Sequence, residues 1–147
     1  MSPITLPKCC GLALLFFLTS SFARSAELPK LGVFVYSNLC WSKPSGDVAG
    51  LRVTILRFPD PSRDHVVFEW SEGPLYERTG YKVRIDSATS RITFEVDQDA
   101  TMTKPDWRTY TGEISSDALI LQSNSDPART NRLLRVQDFA QENRQCR

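Results

Sequence analysis

Between Leu31 and Val136 the chain has no sustained apolar rhythm of 3.6 residues. Apolar and polar side chains alternate instead, and turn residues recur about every eight to twelve positions, the pattern of an all-β sandwich or barrel. Alternation sends successive side chains to opposite faces of a strand, so the apolar faces must be laid against one another. The clearest stretch runs Tyr81-Lys82-Val83-Arg84-Ile85-Asp86, then Ser87 to Ser90, then Arg91-Ile92-Thr93-Phe94-Glu95-Val96-Asp97. Setting Ile85 opposite Ile92 places Val83 opposite Phe94 and Tyr81 opposite Val96 on one face. On the other face Lys82 meets Glu95 and Asp86 meets Arg91. Each such cross-strand pair contributes roughly 0.2–1 kcal/mol, and a slip of one residue would spoil both faces. The sequence therefore predicts that Tyr81, Val83, Ile85, Ile92, Phe94 and Val96 share one interior surface.

A second hairpin is expected over Trp107–Ser123, with Ile114 opposite Leu119, Gly112 opposite Leu121 and Tyr110 opposite Ser123 around Ser115-Ser116-Asp117-Ala118. Earlier strands are expected at Leu31–Trp41, Ala49–Phe58 and His65–Ser71, separated by Pro44-Ser45-Gly46-Asp47 and Pro59-Asp60-Pro61-Ser62, which have turn chemistry. Asn131–Val136 reads as the last strand, and Gln137–Gln145 as a short closing helix or tail. About seven or eight strands joined by short loops should neighbour one another in sequence order. Such a meander must close or split into two sheets, because open edges invite association. The expectation is an all-β chain forming a single antiparallel up-and-down β-barrel, with a β-sandwich as the alternative.

The first residues have a different character. Lys8 supplies a positive start, Cys9–Leu18 an uncharged apolar core, and Ser21 and Ala23 the small side chains that precede a signal-peptidase cut. This predicts a secretory signal peptide over 1–23, with cleavage as late as 26 through Ser25 or Ala26, and a single β-barrel domain over 24–147. The apolar run is about half of what a membrane-spanning helix needs, so no stable insertion is expected after cleavage. Cys9 and Cys10 lie inside that core rather than at a small-residue junction, which argues against a lipoprotein. Of the 4 Cys, cleavage leaves Cys40 and Cys146, and in the oxidising periplasm or extracellular medium these are expected to form one disulfide bond, the alternatives being two free thiols or the pairing of Cys146 with another chain. A loop of about 100 residues closed in this way stabilises by roughly 4–5 kcal/mol in the simplest chain-entropy account. Removing Lys8 also cancels the formal net charge of +1. A balanced chain has no large basic surface, so nucleic acid is not an expected partner.

The strand count, the short hairpins and a C-terminal cysteine tied back to the barrel resemble a small exported calycin, the lipocalin-type β-barrel. Where the lipocalin motif has Gly-x-Trp this chain has Gly32-Val33-Phe34, with Trp41 displaced. The resemblance implies a barrel that binds a small apolar molecule without a cofactor.

Few residues offer chemistry. Nucleophilic hydrolysis needs a Ser or Cys beside a base, usually His; the 1 His is His65, next to Asp64 at a strand start, and no Gly-x-Ser-x-Gly elbow occurs. Zinc asks for several His, Cys or carboxylate ligands at set spacing, and Asp97-Gln98-Asp99 lacks the Gly and closing Glu of a calcium loop. Glu69, Glu72, Glu95 and Glu113 would support carboxylate chemistry only if they met inside a barrel. The more unusual segment is Glu69-Trp70-Ser71-Glu72-Gly73-Pro74-Leu75-Tyr76, a strand running into a Gly-Pro turn with Leu75 and Tyr76 on the exposed side of a bend. Stiff loops bearing aromatics suit a protein surface or a cavity mouth. The segment resembles the Ser-Gly-x-x-Tyr loop of periplasmic C-type lysozyme inhibitors, with Glu72 set between Ser71 and Gly73. Trp41, Trp70, Trp107, Tyr81 and Tyr110 complete an aromatic set that either lines a cavity or fills a solid barrel.

These residues point to an exported, non-enzymatic binding protein for a small apolar molecule or for another envelope or extracellular protein, with no cofactor and no metal. Trp70, Ser71, Tyr76, Tyr81, Trp107 and Tyr110 are the candidate binding residues. The alternatives are a periplasmic lysozyme-type inhibitor acting through Ser71–Tyr76 and a carboxylate-using envelope enzyme.

Overall fold

Strands that each bury one face leave no comfortable open edge, and in this chain they close on themselves. The computed structural model describes residues 31–99, 104–137 and 144–146. The strands are β1 Gly32–Ser37, β2 Cys40–Trp41, β3 Val48–Arg57, β4 His65–Gly73, β5 Leu75–Asp86, β6 Arg91–Asp97, β7 Trp107–Ile114, β8 Ala118–Ser123 and β9 Asp126–Arg135. From β3 to β9 each strand pairs antiparallel with the next, and β1 pairs with both β3 and β9. The result is a closed 8-strand antiparallel barrel with β2 as an extra strand beside β3. The expected signal peptide over 1–23 lies outside the described residues, as does most of the expected closing segment.

The single expected strand Leu31–Trp41 is interrupted. Asn38 donates its N–H to the Leu51 carbonyl at 3.0 Å, and its side-chain Oδ1 accepts the Leu51 N–H at 2.7 Å. This turns the chain out of line between β1 and β2 while β3 runs past both. The close approach needs Gly50, which has φ +115° and would carry a Cβ only 2.8 Å from Asn38 Oδ1. Beyond the break, Cys40 is bonded to Cys146 across 106 residues, with Cα atoms 4.9 Å apart. Backbone bonds flank the disulfide, from Trp41 N–H to the Arg144 carbonyl at 2.8 Å and from Cys146 N–H to the Trp41 carbonyl at 2.9 Å.

The interior is built by the expected alternation. Val53 and Ile55, Val66 and Phe68, Ile92, Phe94 and Val96, Leu119 and Leu121, and Leu133 are at most 1% exposed. The β7–β8 register is the expected one, with Ile114 opposite Leu119, Gly112 opposite Leu121 and Tyr110 opposite Ser123.

The β5–β6 hairpin begins as expected, Asp86 with Arg91 and Ile85 with Ile92, and then departs from expectation. The register shifts between Arg84 and Tyr81, leaving Lys82 and Val83 together opposite Phe94, and Tyr81 pairs with Glu95 rather than Val96. One extra residue makes this a β-bulge, which bends its strand and raises the local twist. Lys82 accommodates it at φ 50°, a left-handed conformation usually left to Gly or Asn. Val83 and Ile85 still pack on the core, but Tyr81 is turned to the outer wall and is 51% exposed. The expected interior surface thus loses one of its members. Lys82 nevertheless reaches Glu95, 2.9 Å away.

β5 also starts earlier than expected. Leu75 pairs with Ser71 and Tyr76 with Trp70, so Gly73-Pro74 is the turn of a β4–β5 hairpin, and Leu75 and Tyr76 are strand residues rather than part of a bend. β9 likewise begins at Asp126, ahead of the expected Asn131.

Two measurements test this architecture. Reduction of the Cys40–Cys146 bond should lower the melting temperature by several degrees, the chain-entropy term setting an upper limit near 4–5 kcal/mol; thiol titration of untreated mature protein should detect neither sulfur. Gly112→Ala should destabilise by about 1–3 kcal/mol in chemical denaturation, because the added Cβ would sit 2.7 Å from the Ile120 carbonyl oxygen and 2.9 Å from Leu119 Cδ1. An unchanged midpoint would mean that β7 and β8 are not this close.

Candidate binding end of the barrel

The two ends of the barrel are finished differently. At the lower end lie the turns Phe58–Asp64, Ser87–Ser90 and Ser115–Asp117, each fastened by an aspartate. Asp60 accepts from Ser62 Oγ at 2.7 Å and Ser62 N–H at 3.0 Å. Asp86 accepts from Thr89 Oγ1 at 2.6 Å and Ala88 N–H at 2.9 Å, and Asp117 from Ser115 Oγ at 2.7 Å. These hydrogen bonds favour the charged carboxylates and hold all three below the ordinary aspartate range, led by Ser62, Thr89 and Ser115 respectively. Asp64 binds the Phe58 N–H at 2.9 Å, and the Tyr36 hydroxyl donates to the Ser115 carbonyl at 3.0 Å. Arg135 lies over the Phe34 ring at 4.7 Å. These contacts fasten the lower turns.

The upper end carries the exposed aromatics. Phe68, Trp70 and, across the hairpin, Tyr76 and Arg78 alternate onto the inward face, since Trp70 pairs with Tyr76 and Phe68 with Arg78. Inside, Phe68 lies 4.7 Å from Tyr110 and 6.1 Å from Phe94, and Tyr110 stacks on Phe94 at 5.4 Å. Outward from Phe68 follow Trp70 at 5.8 Å and Tyr76, stacked on Trp70 at 5.3 Å with planes 23° apart. A continuous run of rings therefore leads from the barrel axis to solvent, ending on Tyr76, which is 42% exposed. The Arg78 guanidinium sits over the Trp70 ring at 5.6 Å.

Phe68, Phe94 and Tyr110 of this run are buried in the core. Two open hollows of about 490 and 560 Å³ are both bounded by Arg91, Glu113 and Ile120; the first extends along β6, β7 and β8 to Thr130, and the second reaches Thr89, Ser90 and Ser115 in the lower turns. Gln98 Nε2 donates to the Tyr110 hydroxyl at 2.6 Å and caps the run of rings from the loop after β6. Burial pushes the Tyr110 and Tyr36 hydroxyls above their ordinary pKa, partly opposed by Arg108 and Arg135 respectively.

Of the expected binding residues, Trp70, Tyr76 and Tyr110 are brought into one run through Phe68. Ser71 is on the opposite face, 2% exposed, its hydroxyl donating to the Val48 carbonyl at 2.7 Å and the Gly73 carbonyl at 3.0 Å. Tyr81 and Trp107 form a separate edge-to-face pair, 5.2 Å apart, on the outer wall. Phe68, Arg78 and Gln98 were not among the candidate binding residues of the sequence. Carrying the alternation past Gly73-Pro74 would have placed Arg78 beside Trp70. The glutamates do not converge: Glu69 is paired with Arg52, Glu95 with Lys82, and Glu95 and Glu113 alternate outward. Among the described residues no three His, Cys, Asp or Glu side chains form a group able to hold a metal ion.

The buried tyrosines predict an alkaline transition. Their native pKa values lie above the unfolded value near 10, so the folded state holds these protons more tightly. Their contribution to stability is complete below about pH 10 and is lost as the pH rises through the native values. Absorbance at 295 nm should show two tyrosinates forming late in the native protein and shifting back toward pH 10 in urea; coincident native and urea titrations would contradict the burial of Tyr36 and Tyr110.

Comparisons with protein-family models, with curated proteins and with solved structures found no match.

Proposed function

We propose that the chain is an exported binding protein that recognises another envelope or extracellular protein through the upper end of its barrel, without catalysis of its own. One observation carries this reading: the β4–β5 hairpin presents Leu75 and Tyr76, 50% and 42% exposed, on a turn stiffened by the Tyr76–Trp70 stack. Aromatic side chains held in one conformation lose little entropy on association and supply much of the energy at protein interfaces. The general shape is that of a lipocalin-type barrel, but packed rings occupy the place where a carrier would keep its apolar ligand, so surface recognition is favoured over carriage. The disulfide and the small-x-small exit after the N-terminal apolar run support export. Among the described residues no helix is long and apolar enough to cross a membrane. The inhibitor reading loses Ser71, whose hydroxyl is already engaged by Val48 and Gly73.

The reading is tested by placing a photo-crosslinking amino acid at Tyr76 or, as control, at Thr111 on the outer wall, in the protein as expressed in its own cell. A discrete protein adduct is expected at Tyr76 and not at Thr111, and native mass spectrometry should find no retained small molecule. An apolar molecule retained in stoichiometric amount, or no adduct at Tyr76, would replace protein recognition with another account.

A further inference from the structure

The bulge at Lys82–Val83 does more than bend β5. Without the extra residue Tyr81 would follow Val83 and Ile85 onto the inward face; with it Tyr81 is turned outward and stands opposite Glu95. A bulge bends its strand whatever residue comes before it, but this one re-aims a large aromatic, as bulges beside functional sites do. It does so with a lysine at φ 50°, a conformation that costs a side chain free energy and that collects at functional positions. The outcome on the outer wall is the Tyr81–Trp107 edge-to-face pair, whose members are 51% and 47% exposed. Two large aromatic side chains thus stand in solvent, where plain alternation along β5 would have buried one of them.

The surroundings of the pair decide which chemistry it suits. β6 and β7 run side by side for seven consecutive rungs, from Arg91–Glu113 to Asp97–Trp107, with no shift of register. Apart from Trp107, the outward residues of these two strands are threonines and charged side chains, and none is aliphatic. Among the described residues, the side chains of Thr93, Thr111 and Glu113 make no hydrogen bond or ion pair, whereas Ser62, Thr89 and Ser115 in the lower turns are all bonded internally. The same three, with Arg91 and Ile120, bound the open hollow of about 490 Å³, a volume within the range of small-molecule sites. Lys82 is paired with Glu95, and Arg91 stands opposite Glu113, so acids and bases face one another along the strip.

We propose that this strip of outer wall binds an uncharged, extended glycan, a β-1,4-linked chain of pyranose rings, with one ring against Tyr81 and Trp107 and another in the hollow. It is a second site, independent of the protein-recognition reading of the upper end. A pyranose ring has a face of C–H groups and a rim of hydroxyls. The C–H face packs on an exposed aromatic, whose electron-rich surface attracts its weakly positive hydrogens. The hydroxyls are donors and acceptors at once and need partners of both kinds, which Thr93, Thr111, Glu113 and Arg91 supply. Thr111 lies four residues from Trp107, about 13 Å along β7, a gap that a chain of rings bridges and a single sugar does not. The ladder is unbroken over that distance, which suits an extended chain rather than a coiled one. A protein partner would find no aliphatic side chain on β6 or β7 beside Trp107, whereas at the upper end Leu75 is exposed next to Tyr76.

The test uses the mature, disulfide-bonded protein and three uncharged tetrasaccharides: cellotetraose and chitotetraose, both β-1,4-linked and extended, and maltotetraose, α-1,4-linked and coiled. At millimolar concentration one or both of the β-linked chains should shift the Trp107 indole and the amides of Thr93, Thr109 and Thr111 in two-dimensional NMR. Trp107→Ala should weaken binding about tenfold, and Thr111→Val about fivefold, the value of one hydrogen bond. Thr111→Val keeps the shape of an outward strand residue, so its melting temperature should hold, and Tyr76→Ala should leave glycan binding unchanged. No shift with either β-linked chain, shifts centred on Tyr76 instead of Trp107, equal binding of maltotetraose, or an affinity unchanged in both Trp107→Ala and Thr111→Val would overturn the proposal. The two sites are separate, so the protein adduct at Tyr76 is expected whichever way this test falls.

Discussion

The barrel is closed by its shortest ladder. β1 meets β9 at only two rungs, Tyr36 with Arg135 and Ser37 with Leu134, and one further bond runs from Val136 N–H to the Val35 carbonyl at 2.8 Å. The rest of the architecture depends on this short seam, because without it β1 and β9 would both present unpaired edges and the inward faces of the sheet would have nothing to wrap. Side chains reinforce it. Arg135, opposite Tyr36 and on the same face, lies over Phe34 and Tyr36 at 4.7 and 5.8 Å, and the Tyr36 hydroxyl reaches across to the Ser115 carbonyl. A cation over two rings and a long-range hydrogen bond compensate for the few backbone bonds.

The β1–β9 and β5–β6 seams have few rungs for different reasons. At β1–β9 the strands share only two rungs. At β5–β6 one extra residue at Lys82–Val83 shifts the register, and the last shared rung is Tyr81 with Glu95. Phe68, Phe94 and Tyr110 pack together in the core, while Trp70, Tyr76 and Arg78 follow from Phe68 along the β4–β5 hairpin. At the lower end the turns are fastened by their aspartates.

How much of this could be read in advance varies by residue. The β7–β8 hairpin was legible to the rung, because Ile114, Leu119 and Leu121 alternate cleanly about a short polar turn. The β5–β6 hairpin was legible only below Arg84, since a lysine in the left-handed region leaves no mark in a sequence where Gly or Asn would have signalled it. The start of β5 was hidden for another reason: Tyr76, Arg78 and Gly80 face inward there, and none is an aliphatic residue of the kind that reveals a strand by alternation. The disulfide followed from counting the cysteines left beyond the expected signal peptide. The gathering of Trp70, Tyr76 and Tyr110 did not, because it is made by Phe68, a core residue with nothing local to distinguish it. Ser71, by contrast, was misjudged against a legible rule, since a neighbour of Trp70 on a strand must turn to the other face.

One consequence of the closing ladder concerns the order in which the strands come together during synthesis. Every seam from β3 to β9 joins strands adjacent in the chain, so each hairpin can zip as soon as its second arm has emerged. The seam between β1 and β9 must wait until β9 has been made, and the Cys40–Cys146 bond waits longer still. During that interval β1 and β8 are bare on their outer sides, which makes the chain still lacking β9 the form most open to misassembly.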